Sequence, residues 1–181
     1  MASMTTTAQA FTAKSIALLT EDYLPHIQTA TATLGDEGIW WRPNESSNSA
    51  ANLMLHLRGN VTQWIIGGVG GRPYERHRDG EFAARAGGSQ SNLFDTLAAT
   101  VGTACEIIAS QTDVSLLEPR RIQGYDVTVL DAIYHVVEHF SMHVGQIIYV
   151  AKLHAPGAVQ FYDDAGGLAR PLWPEAKATT T

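Results

Sequence analysis

Four stretches of this chain repeat their apolar residues every three to four positions, and that period limits the possible folds more than any other feature. It predicts helices over about 8–33, 49–67, 91–111 and 127–154. In the first, Phe11, Ile16, Leu19, Tyr23, Leu24 and Ile27 recur at helical spacing, and Pro25 should kink the helix or mark an irregular turn. Asn48 or Ser49 is the expected N-cap of the second, which should end at Gly67-Gly68. Leu93, Leu97, Val101, Ala104 and Ile108 mark the third, and the fourth stops before Pro156-Gly157. Strand signals are poor, and no internal repeat is found.

Four long amphipathic helices in 181 residues predict an all-α fold, a four-helix bundle forming one domain over 1–181. A tail over 155–181 ends in the disordered-looking "KATTT". About twenty residues separate helices two and three. At roughly 3.3 Å per extended residue, such a segment can run the length of a helix. Helices two and three are therefore expected to be parallel, joined by a long crossover.

Composition narrows the function. A net charge of −6 and a pI near 5.6 argue against a nucleic-acid surface. No apolar run approaches a membrane span, and "MASMTTTAQAFTAKS" lacks the apolar centre of a secretory signal. Cys105 is the only cysteine, so no internal disulfide can form. By default these features place the protein in the cytoplasm, with neither nucleic acid nor membrane as partner.

Three of the seven histidines stand one helical turn apart in "YHVVEHFSMHVGQI". At ~100° per residue, His135 and His143 lie on either side of His139, with Gln146 in the same sector. Val129, Ile133, Phe140, Val144 and Ile147 form the adjoining apolar sector; Tyr134, Glu138 and Tyr149 should meet water. A single core histidine is ordinarily only hydrogen-bonded. Several buried imidazoles are costly to charge together, and neutral rings still need partners. One divalent ion partners several lone pairs. In "NSAANLMLHLRGNVTQW", helix two places Ser49, Asn52, His56, Asn60, Gln63 and Trp64 on one sector, with His56 at its centre. One histidine from helix two and two from helix four would make a three-nitrogen site with open positions, as in catalytic zinc sites. His135, Glu138 and His139 also spell H-x-x-E-H, a protease pattern. Too little chain follows for its further acidic ligand, and Glu138 points away from His139. A ferritin-like di-metal site needs inward Glu-x-x-His pairs, which are absent.

The chain resembles the DinB-like family of metal-dependent enzymes, through "WWRPNESSNSAANLMLHLRGNVTQWI", "RHRDGEF", "GYDVTVLDAIYHVVEHFSMHVGQI" and "FYDD". The resemblance implies a four-helix bundle with a crossover, often a homodimer. It implies a divalent metal, commonly zinc or nickel, held by one histidine of helix two and an H-x-x-x-H pair of helix four. The matching positions are His56, His139 and His143. Family members include thiol-dependent S-transferases and isomerases, so the implied partner is a small-molecule substrate with a low-molecular-weight thiol. His135, Asn52, Asn60 and Gln146 are the expected supporting or pocket residues. The alternatives are a metal-dependent hydrolase and a non-enzymatic metal-binding or structural dimer.

Arg72, Arg76, Arg78 and Arg85 alternate with Glu75, Asp79 and Glu81 in the crossover, which reads as a self-neutralising surface or as a lid with an arginine clamp. Cys105 reads as a small core residue, and Trp40 and Trp41 as staples for the loop after helix one.

Overall fold

A computed structural model of the chain describes residues 5–163, 166–167 and 170–172. The "KATTT" ending and Asp164 of "FYDD" lie outside the described residues. The fold is mostly helical with small antiparallel strand pairs, and no described helix is long and apolar enough to cross a membrane.

The first helical stretch joins α1 (Thr7–Ala17), a π-helical segment (Leu18–Tyr23) and α2 (Leu24–Ala32). Thr6 and Gln9 cap it reciprocally, each side chain accepting the other's backbone N–H. The widened π turn lies just ahead of Pro25. Proline has no N–H for the ladder, and its ring crowds the carbonyl four residues back, so a looser turn replaces a break. After the short α3 (Gly35–Gly38), α4 (Ala50–Val61) begins at Ser49 and continues as a second π-helical segment, Thr62–Val69.

The connection to α6 (Gln90–Ala109) contains one short helix, α5 (Arg78–Ala83), and retraces the second stretch. Tyr74 packs on Gly67, Arg76 and Glu81 on Gly59, and the Glu81 and Ala84 carbonyls accept from the Asn52 amide. Gly70 and Ile107 adjoin, so the second and third long helices end side by side and run parallel. The first stretch runs antiparallel to α6. Asp113 accepts from Ala8 N–H at one end, and Asp36 accepts from Gln90 N–H at the other, each at 2.8 Å.

A 3-10 turn (Ser115–Leu117) leads into β1 (Pro119–Ile122) and β2 (Tyr125–Thr128), which pair antiparallel with Ile122 opposite Tyr125. The expectation of no strands is corrected here. Gln123 and Gly124 both take positive φ, 52° and 85°, giving the two-residue turn that matches strand twist. The hairpin delays α7 (Val129–His154) by two residues from its predicted start. Thr128 and Asp131 cap α7. A last strand pair joins β3 (Tyr162–Asp163) to β4 (Arg170–Pro171).

Leu19, Ile27, Leu53, Leu57, Leu97, Ile108, Ile133, Phe140 and Ile147 are fully buried and draw all four long stretches into one core. Trp40 donates to the Gly88 carbonyl, and the Trp41 ring packs on His154, so both tryptophans fasten the loop after α2. The core faces of α4 and α7 also carry the polar residues of interest, held by rigid helices.

Candidate metal centre

His56 projects from the middle of α4; His139 and His143 project from successive turns of α7. One nitrogen of each lies within 4.8 Å of the others. His56 and His143 are buried, and His139 is half-buried. The Nε2 atoms of His56 and His139 approach to 2.9 Å. The ring centroids of His143 lie 5.1 Å from His56 and 4.4 Å from His139.

Outer partners set the tautomers of two rings. His56 Nδ1 lies 2.9 Å from Glu81 Oε2 and 3.2 Å from an Arg76 guanidinium nitrogen, and at the nearer, acceptor-only carboxylate a bare nitrogen lone pair would oppose a carboxylate lone pair. Nδ1 therefore carries the proton and donates, leaving the Nε2 lone pair to face inward. His143 Nδ1 donates to Gln146 Oε1 at 2.8 Å, which again leaves Nε2 bare. That His143 Nε2 is buried and has no hydrogen-bond partner among the described residues. Histidines that ligate metals almost always donate the outer N–H to a carboxylate or carbonyl-type oxygen. An orphaned inward nitrogen beside two others fits a divalent ion.

Burial keeps three of these imidazoles, His135, His139 and His143, in the neutral form. His139 is pushed down to about 3, first by burial and then by the neighbouring His143, His56, His135 and Arg76. His143 and His135 are also lowered, each chiefly by burial. Burial alone would raise Glu81. Hydrogen bonds from Arg76 and His56, with their charges, outweigh it and hold the carboxyl below its ordinary value. Glu81 is therefore an anion, and an anion best accepts from His56.

In the sequence, Glu81 and Arg76 read only as charges of a self-neutralising surface, with Arg76 alternatively part of a lid's arginine clamp. Arg76 grips Glu81 with two nitrogens, at 2.8 and 2.9 Å, and extends a third to Gln63 Oε1 at 2.7 Å. Both residues are nearly buried. The surface reading of the crossover is corrected at these two positions. The lid reading had an inward arginine, but Arg76 holds a carboxylate of the chain itself. The available clue was "RHRDGEF", which begins at Arg76 and ends with Glu81 and Phe82; the Phe82 ring packs 4.6 Å from His56.

The other expected residues are spread around the cluster. Gln146 is in place behind His143. Asn52 is completely buried but does not line a pocket. Its Oδ1 accepts from Ser49 N–H, the Ser49 hydroxyl and Arg42, and its amide donates to the Glu81 and Ala84 carbonyls. Asn52 thus clasps the crossover to α4, one turn before His56. Asn60 is buried, and its amide lies 3.2 Å from His135 Nε2. His135 stacks on Trp64 at 4.0 Å and stands outside the group of three. Glu138 is exposed, so the H-x-x-E-H protease arrangement is not assembled. Burial raises the Cys105 thiol to about 11, which leaves it a poor nucleophile.

Cavities adjoin both ends of the cluster, one of about 500 Å³ reaching His135 and one of about 450 Å³ reaching Gln146. The model of a family described as "Protein of unknown function (DUF1572)" matches residues 7–160. Neither a curated protein nor a solved structure matches the chain.

Proposed function

The chain belongs to the DUF1572 family, a DinB-like family, and on that premise we propose that it is a metal-dependent enzyme. In this reading a four-helix bundle with a crossover holds one divalent ion, zinc or nickel, on His56, His139 and His143. The observation that carries it is the buried, partnerless His143 Nε2 beside the inward-facing nitrogen of His56. The reaction class we favour is thiol-dependent S-transfer. When bound, the ion supplies positive charge that lowers the pKa of a thiol brought to it.

The rest of the work falls to the chain. His56, His139 and His143 are neutral donors that leave positions open. Glu81 and Gln146 hold two of the rings in the required tautomers. The half-buried Cys105, its thiol raised by burial, does not supply the sulfur, so the thiol is a small-molecule cosubstrate. We further propose a homodimer. Met142, Tyr149 and Leu153 lie exposed along the later turns of α7, beside the small residues Ser141 and Gly145. That stripe would let a second copy approach closely.

Metal analysis of purified protein, followed by cobalt substitution and a thiol panel, tests the reading. The expected result is about one ion per chain and a sulfur-to-cobalt charge-transfer band on adding thiol. A full equivalent of metal in His56→Ala/His139→Ala/His143→Ala overturns the ligand set. Turnover of esters or amides with no thiol response replaces S-transfer by metal-dependent hydrolysis. An ion inaccessible to any added ligand points to a non-enzymatic structural role.

A further inference from the structure

The cavity of about 500 Å³ lies between the second π-helical segment, the β1–β2 hairpin and the start of α7. Trp64, Tyr125 and Tyr134 wall it with aromatic rings. Asp126, Asp131 and Glu138 supply carboxylates, and no lysine or arginine is among the described residues that line it.

The three carboxylates differ. Asp131 accepts from the Thr128 N–H and hydroxyl at 2.8 and 2.7 Å, so it is engaged in capping α7. Asp126 pairs with Arg121 at 2.6 Å, with both side chains largely exposed. Glu138 has no hydrogen bond or ion pair among the described residues. It is the free charge of the cavity.

A second observation is independent of charge. Trp64 is only 4% exposed, and its buried indole N–H has no acceptor among the described residues. That N–H has no surface open to the cavity, so Trp64 contributes only its ring to the wall. The Trp64 ring packs on His135, whose centroid lies 5.4 Å from that of His139. The cavity therefore meets the histidine cluster through a single intervening ring.

We propose that this cavity binds a small organic cation carrying a primary ammonium group. Its apolar body lies among the three aromatic rings and its ammonium group at Glu138. Aromatic faces and a free carboxylate both attract a cation, and an apolar body supplies the contact area. As the substrate class of the metal centre, the assignment rests on the function proposed above; as a binding site it stands without it.

Calorimetric titration with phenylalaninamide, and with its neutral N-acetyl derivative, tests the inference. The two probes share an apolar body and differ in charge. Phenylalaninamide should bind at least about tenfold more tightly, a sum of one ion pair and cation–π contact. Glu138→Gln should weaken it by about fivefold, the upper range for one exposed pair. Equal binding of both probes, no binding of either, or an unchanged Glu138→Gln variant overturns the proposal. Metal content, measured on the same samples, separates the two claims. One ion per chain without ammonium selectivity removes only the cation site, whereas selective ammonium binding in a chain that takes no ion removes only the metal centre.

Discussion

Two buried polar clusters sit one turn apart on α4, and they are built on opposite terms. At Asn52 the hydrogen-bonding capacity is used: three donors meet the oxygen, and two carbonyls meet the amide. At His56 the outer nitrogen is partnered, while the inner one faces His139 and the orphaned His143 Nε2. A saturated cluster fastens chain to chain. A cluster whose bare nitrogens converge is incomplete without something bound. Burial alone does not separate the two, because Asn52, His56 and His143 are all buried; the direction in which unpaired atoms point does.

The contrast is sharpest in His139→Ala. It should take metal content from about one ion per chain to none by elemental analysis, with the far-ultraviolet circular dichroism of the apo fold retained. Loss of helicity with the metal would assign His139 to the core instead. Asn52→Ala should do the reverse, lowering unfolding free energy in urea by ~1–3 kcal/mol, because it removes the amide from the Glu81 and Ala84 carbonyls and breaks the capping box of α4. A loss below ~1 kcal/mol would mean that the clasp is replaceable.

Glu81→Gln tests the link between the clusters, since its backbone is held by Asn52 and its carboxylate by His56. Metal affinity should fall by roughly 10–100-fold, the range for outer-shell partners, while stoichiometry is kept. An unchanged affinity would break the link. The most gradual effect, spread over several pH units, is on acid stability of the metal-free protein. His139 is neutral in the fold down to about 3 but protonates near 6.5 when unfolded. Below 6.5 the unfolded chain binds the extra proton, so stability should fall as pH drops from 6.5 toward 3, at no more than about 1.4 kcal/mol per pH unit for this histidine. His139→Ala should flatten that slope; an equal slope in both proteins would assign the proton uptake to other groups.

Local chemistry was legible in the sequence, and tertiary pairings were not. Apolar period and end signals placed the long helical stretches within a few residues, because caps such as Ser49 and stops such as Pro156-Gly157 act over one turn. The facing of α7 was equally local: Tyr134 and Glu138 lie outside, and Phe140 and Ile147 lie inside. The hairpin was missed because Gln-Gly is a weaker turn signal than Asn-Gly and Pro119 reads as a breaker. Glu81 was missed because its partner His56 lies 25 positions away, and only the folded-back crossover joins them. Asn52 was placed on the correct face of its helix, but whether its partners were backbone groups or a ligand depended on that same crossover.

Gly59 carries a consequence for recognising related chains. A methyl group added there would press on the Glu81 carboxylate and the Arg76 guanidinium. Both are pinned from the other side, so the added bulk would displace Glu81 from His56 without touching any of the three converging histidines. A substitution at this position would thus disable the centre silently, in a chain whose visible histidines look intact. The informative signature is therefore composite: His-x-x-Gly on one helix, Arg-x-x-x-x-Glu in the connection that follows, and His-x-x-x-His-x-x-Gln on the last helix. A relative that keeps the histidines but replaces the glycine should have lost the Arg–Glu pair as well, since nothing else in the fold requires that opening.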